Sequence, residues 1–213
     1  MTAGAPVAIF GRAMDSTGLH EGWNTTRIPL FRLVPAALLL AGSIALARAD
    51  QPFNFLDWVN LAFHEAGHLF MSPFGQTLYV LGGTLLQVAV PAVLSGYFLV
   101  KQRSPFGAAL CAWWLGENFL NVSVYMADAR AMQLPLVGGG EHDWTQLFYQ
   151  FGLLGEESVS RVSGATHHLG VLVMLAAVAW VVFPWNPLDA AADADLVLPA
   201  TASESPAAPS AGE

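Results

Sequence analysis

Phe55 to Phe74 reads FLDWVNLAFHEAGHLFMSPF, apolar except for Asp57, Asn60 and the run His64-Glu65-Ala66-Gly67-His68. About 20 such residues cross a bilayer as a helix, and ionisable groups at that depth are costly unless they face an interior cavity and are paired or bound. Histidines four apart project from one face of a helix, where both can ligate a zinc ion, and the glutamate beside the first projects next to the metal. With this chain's own residue frequencies the H-E-x-x-H pattern would arise by chance in about six of a thousand such sequences. A membrane helix whose histidines only bond to neighbouring helices would account for the polarity, but not for the spacing and the intervening acid. Asn60 lies one turn before His64 on the same face, placed to hold a ligand or substrate or to pack against another helix.

Outward from this stretch the chain repeats its length and apolarity. Pro29 to Ala49, Leu78 to Val100, Phe106 to Met126 and Leu169 to Trp185 are each long enough to cross. The whole chain of 213 residues is 54% hydrophobic and only 11% charged, where an average soluble domain carries about 25% charge. The expected fold is therefore all-α, a polytopic membrane helix bundle of about five transmembrane helices within residues 28–186, integral to the membrane and surrounded by lipid. With the N-terminus inside, five basic residues against three favour that orientation. No repeat supports a transporter-like duplication.

Residues 1–27 lack periodicity, and residues 187–213 are Ala, Pro, Ser and acid, so both are expected to be disordered. Most of the net charge of −8 belongs to that tail, where Asp189, Asp193, Asp195, Glu204 and Glu213 face no base. Eight scattered Lys and Arg form no basic stripe, which excludes nucleic acid as a partner. The first span imitates a secretion signal ending at Ala47-Arg48-Ala49, although the stretch ahead of it is long for one. A single cysteine, Cys111, excludes a Cys-rich metal site.

A second polar stripe runs along Phe106 to Met126 and beyond. Glu117, Asn118, Asn121, Tyr125 and Asp128 fall within about 100° of one another at helical spacing, and this face is expected to look toward the HEAGH helix across a hydrated pocket. Asn118, Asn121 or Tyr125 could then donate to a developing oxyanion. Hydrogen-bonding glue between helices is the plainer reading of the asparagines.

The HEAGH helix, the Gly82-Gly83 helix after it, and a later helix with Asn and then Asp together resemble the site-2 protease family of intramembrane zinc metalloproteases, over roughly Leu56 to Trp144. The resemblance implies that His64 and His68 bind zinc, that Glu65 is the catalytic base, and that Asp128, seven residues after Asn121, is the third ligand. Between that Asn and Asp the family typically has prolines, with a Gly after the Asp, where this chain reads NVSVYMADARA.

The competitor for the third ligand is His142, delivered by the sharp turn of Gly138-Gly139-Gly140 to the start of a helical pattern at Trp144. Asp143 reads as the N-cap of that helix, with Gln146 completing a capping box. His167 and His168, ahead of the last span, read as an interfacial pair. The expectation is a Zn2+ hydrolase whose Glu65 deprotonates a zinc-activated water, acting on peptide bonds of transmembrane or membrane-associated proteins. A zinc hydrolase of lipids or small amphiphiles, and an idle scaffold or metal-handling protein, remain as alternatives.

Overall fold

A computed structural model of the chain describes residues 30–49, 54–136 and 141–183; the disordered ends expected from composition lie outside these residues. Among them there is no strand. The helices are α1 (Leu30–Arg48), α2 (Phe55–Met71), α3 (Gln76–Val100), α4 (Pro105–Ala127), the short α5 (Asp143–Gln150) and α6 (Glu156–Val182), with a single 3-10 turn at Ser72–Phe74.

Local chemistry sets the boundaries. Asn54 caps α2 by accepting from the Leu56 N–H at 2.7 Å, while Asp57 accepts the N–H of Asn54 in return, which satisfies two of the donors a helix start leaves over. Gly75, at φ +96, makes the turn between α2 and α3 that a side chain would strain. Ser104 and Pro105 open α4 as cap and first helical residue.

Small residues then set how closely the helices approach. A Cβ on Gly67 would lie 2.1 Å from the Gly82 carbonyl oxygen, and one on Gly82 would lie 2.5 Å from that of Gly67. The backbones of α2 and α3 are therefore in direct contact, the arrangement that small residues permit between membrane helices. Gly116 and Gly170 do the same for α4 and α6, where a Cβ on either would meet the other's carbonyl oxygen at 2.8 and 2.7 Å. Helix α1 lies on α6, and the Trp113 indole N–H ties α4 back to Ser43 on α1 at 2.9 Å. A core of Val80, Val122, Met126, Ala129, Trp144, Leu147, Phe148 and Val159 seats α5 under the ends of α3, α4 and α6.

The five expected spans coincide with α1, α2, α3, α4 and α6, but among the described residues only α3 and α6 are long and apolar enough to cross a membrane. Helix α2 has 17 residues, among them Asp57, Asn60, His64, Glu65 and His68, and α4 carries Glu117, Asn118 and Asn121. Polar side chains that build the interior are what lower the apolarity of these two helices. Helix α6 also starts well before Leu169, so His167 and His168 lie within it, and His168 bonds to the Gly164 carbonyl one turn back. In the most apolar windows of α3 and α6 only 28% and 22% of residues are buried. Most residues of both windows are therefore exposed.

Candidate metal centre

His64 and His68 leave α2 on the face turned toward α3. The Nδ1 of His64 lies 3.1 Å from Gln87 Oε1, and that of His68 lies 2.8 Å from the Tyr79 carbonyl oxygen. Both partners are acceptors, so each Nδ1 is placed to donate, and Nε2 is the atom each ring turns to the centre. The two Nε2 atoms converge on one carboxylate oxygen, Asp143 Oδ2, at 2.8 Å from His64 and 3.3 Å from His68. These three residues form a group whose ligand atoms all lie within 4.8 Å of one another, compatible with the spacing in a tetrahedral zinc site.

Gly83 on α3 completes the centre. A Cβ there would stand 2.6 Å from His64 Nε2 and 2.7 Å from His68 Nε2, in the space between the two nitrogens. Only a residue without a side chain leaves that space open, and the close packing of Gly67 on Gly82 brings it there. Two imidazoles held through Nδ1, a carboxylate as third donor and an open cradle fit a divalent metal.

The third donor differs from both expected ligands. Asp128 is the C-cap of α4, and its two oxygens accept the Gln133 and Leu134 N–H groups at 2.9 Å each. His142, not Asp143, caps α5, with Nδ1 accepting from the Thr145 N–H at 3.3 Å and Nε2 3.4 Å from Asp128 Oδ2. Burial pushes His142 below the ordinary imidazole value against the opposing pull of Asp128 and Asp143, consistent with a neutral ring whose Nδ1 accepts. Asp143, expected as the cap, is instead the first residue of α5, and its carboxylate is turned to the histidines.

Behind the centre runs a chain of buried and half-buried hydrogen bonds. Gln87 donates to Asn121 Oδ1 at 2.8 Å, and Asn121 donates to Asp57 Oδ1 at 2.7 Å. Glu117 accepts from Asn54 at 3.0 Å and from Asn60 at 2.9 Å, and the Trp114 indole donates to Asn60 Oδ1 at 2.8 Å. Asn60 thus packs α2 on α4 rather than facing the centre. The polar stripe of α4 divides along its length: Glu117 binds α2, Asn121 and Tyr125 reach the cavity, and Asp128 closes the helix end. Asn118, an expected oxyanion donor, gives its amide N–H to the Trp114 carbonyl oxygen of its own helix at 3.0 Å and does not line the cavity. Asn121 has both amide atoms engaged by Gln87 and Asp57.

The centre opens into a cavity of about 880 Å³ lined by Asp57, Trp58, Leu61, Glu65, Tyr79, Asn121, Val124, Tyr125, Leu134, Pro135, Leu136, Glu141 and Gln146 besides the ligand group. Glu65 is exposed on its wall. The Tyr125 hydroxyl accepts the Asp143 N–H at 3.2 Å, and its ring stands edge-on to His64. Sequence reasoning missed Gln87 and the part played by Asp57. Gln87 is the lone amide in the middle of an apolar helix, and Asp57 lies two turns before His64 on the same face; both were visible signals. No family model, curated protein or solved structure matches this chain.

Proposed function

We propose that this chain is an intramembrane zinc peptidase resembling the site-2 proteases, with His64, His68 and Asp143 as metal ligands and Glu65 as the general base. The observation that carries the reading is the convergence of both HEAGH imidazoles on a distant carboxylate, at the floor of a cavity that Glu65 also lines. On this reading α1, α2, α3, α4 and α6 all lie within the bilayer, with the polar faces of α2 and α4 turned inward.

Zinc, when bound, supplies a Lewis acid that polarises a carbonyl and lowers the pKa of a bound water. Glu65, free of protein partners among the described residues, takes the proton from the attacking water and returns it to the leaving amine. Tyr125 uses an oxygen lone pair for the Asp143 N–H, so its own proton is left to donate to the developing oxyanion. Asn118 and Asn121, committed to Trp114 and to Gln87 and Asp57, support the site instead.

The lining favours a peptide over a phospholipid. Asp57, Glu65, Glu141 and Asp143 are all acids, and no Lys or Arg accompanies them, so a phosphate headgroup would meet repulsion with only the metal to offset it. A Glu65→Gln comparison tests the reading. Purified wild-type protein and the variant should both carry about one zinc per chain, and a membrane protein left uncut in cells expressing the variant should be cut by the wild type. Wild-type protein without zinc, or indifference of every membrane protein to the substitution, would overturn it.

A further inference from the structure

The connection between α4 and α5 is fastened at both ends, and the fastening residues flank the third ligand. At its start, the Asp128 carboxylate holds the N–H groups of Gln133 and Leu134 at 2.9 Å each, and the backbone turns through Met132 at φ +49. At its finish, His142 Nε2 reaches back to the same carboxylate at 3.4 Å, and the His142 side chain is fully buried. The His142 ring also lies against Tyr125, with centroids 4.2 Å apart, and Thr145 donates to the Ala129 carbonyl oxygen. Four contacts therefore join the last turn of α4 to the first turn of α5: Asp128 with His142, Tyr125 with His142, Tyr125 with the Asp143 N–H, and Ala129 with Thr145.

We propose that Asp128 and His142 form a clasp that positions Asp143 for the metal, and that neither is a ligand. The inference rests on His64, His68 and Asp143 as the metal site. Asp143 approaches from a different part of the chain than the histidines, on a helix of only eight residues, so α2 cannot set its position. The clasp does: it fixes the residue immediately before Asp143, while Asp128 holds the backbone at Gln133 and Leu134. Asp128 lies outside the group of ligand atoms gathered within 4.8 Å, and its oxygens serve the Gln133 and Leu134 N–H groups. His142 spends Nδ1 on the Thr145 N–H, and its buried Nε2, which makes no hydrogen bond, is turned to Asp128 at 3.4 Å and lies outside the group formed by His64, His68 and Asp143.

Residues that orient a metal ligand cost about 10- to 100-fold in affinity when removed, far less than the ligand itself. The test titrates the full-length purified protein with Zn2+ and with Co2+, whose visible spectrum reports its coordination, in wild type, Asp128→Ala, His142→Ala, the double variant and Asp143→Ala. Asp128→Ala and His142→Ala should each weaken binding by about 10- to 100-fold and, once saturated with Co2+, give the wild-type spectrum. The double variant should be little worse than the weaker single one, since partners in one contact are not additive. Asp128→Asn, which keeps the size and one acceptor oxygen, should fall between and serves if the alanine variant does not fold.

Unchanged affinity in Asp128→Ala with only a lowered melting temperature would make the pair a structural brace and overturn the clasp. A changed Co2+ spectrum in Asp128→Ala or His142→Ala would make that residue a ligand and overturn it too. A wild-type chain that binds neither metal removes the site and the clasp together.

Discussion

Gln87 Oε1 accepts from His64 Nδ1 at 3.1 Å while the other end of the same amide donates to Asn121 at 2.8 Å. The amide cannot turn over without losing both bonds, so the His64 ring is held with Nδ1 on Gln87 and Nε2 turned to the centre. Gln87→Leu, close in volume, should leave the helices intact and weaken zinc binding by about 10- to 100-fold. Gln87→Glu keeps the acceptor and should retain most of the affinity. Equal affinity in Gln87→Leu and wild type, measured by competition with a chelator, would remove Gln87 from the site.

The Gly83 cradle gives a sharper result. An alanine methyl there would stand within 2.7 Å of both Nε2 atoms, well inside contact distance, and the imidazoles are tethered by Gln87 and Tyr79. Gly83→Ala should therefore abolish zinc binding. Gly96, in the same helix with nothing within 4 Å of its missing side chain, is the matching control: Gly96→Ala should bind zinc as the wild type does and gain up to about 1 kcal/mol from helix propensity. Metal analysis of both purified variants compares them directly.

How far the sequence could be read follows from the range over which each feature is encoded. The HEAGH pair is local, since helical periodicity alone puts His64 and His68 on one face, and the helices themselves are visible as apolar runs. Asp143 was not legible as the convergent acid because its approach depends on side-chain contacts between the end of α4 and the start of α5, which no periodicity describes. The same residues that looked like ligands, Asp128 and His142, are polar for a different reason: they answer backbone donors and each other at a helix junction. Asn118 illustrates the limit of angular arguments, because it shares the arc of Asn121 but is turned back on its own helix. The apolar runs of α2 and α4 read as spans in the sequence, yet with the polar groups of their inward faces counted only α3 and α6, among the described residues, are apolar enough to cross a membrane.

The third ligand can be separated from its neighbours by one substitution. Asp143 is the only acid in reach of both imidazoles among the described residues, so Asp143→Ala should cost far more zinc affinity than Asp128→Ala. Asp143→Asn keeps shape and removes charge, and should also bind poorly, because an amide oxygen is a weaker donor to zinc than a carboxylate. Zinc retained at wild-type affinity in Asp143→Ala would show that the carboxylate only hydrogen-bonds to the histidines.

Tyr125 provides the last and most discriminating case, because its hydroxyl has two separable duties. As an acceptor it satisfies the Asp143 N–H at 3.2 Å, and as a donor it is placed to meet an oxyanion in the cavity. Tyr125→Phe removes both. Loss of the acceptor frees an N–H at the first residue of α5, where helix starts already leave donors over, so stability should fall by no more than about 1–3 kcal/mol and zinc affinity only slightly. Loss of the donor acts in the transition state alone, and kcat should fall by about 100- to 1,000-fold with KM little changed. The measurement is turnover at saturating zinc: if added zinc restores the variant to wild-type kcat, Tyr125 only positions Asp143, and the oxyanion donor must be sought elsewhere in the cavity.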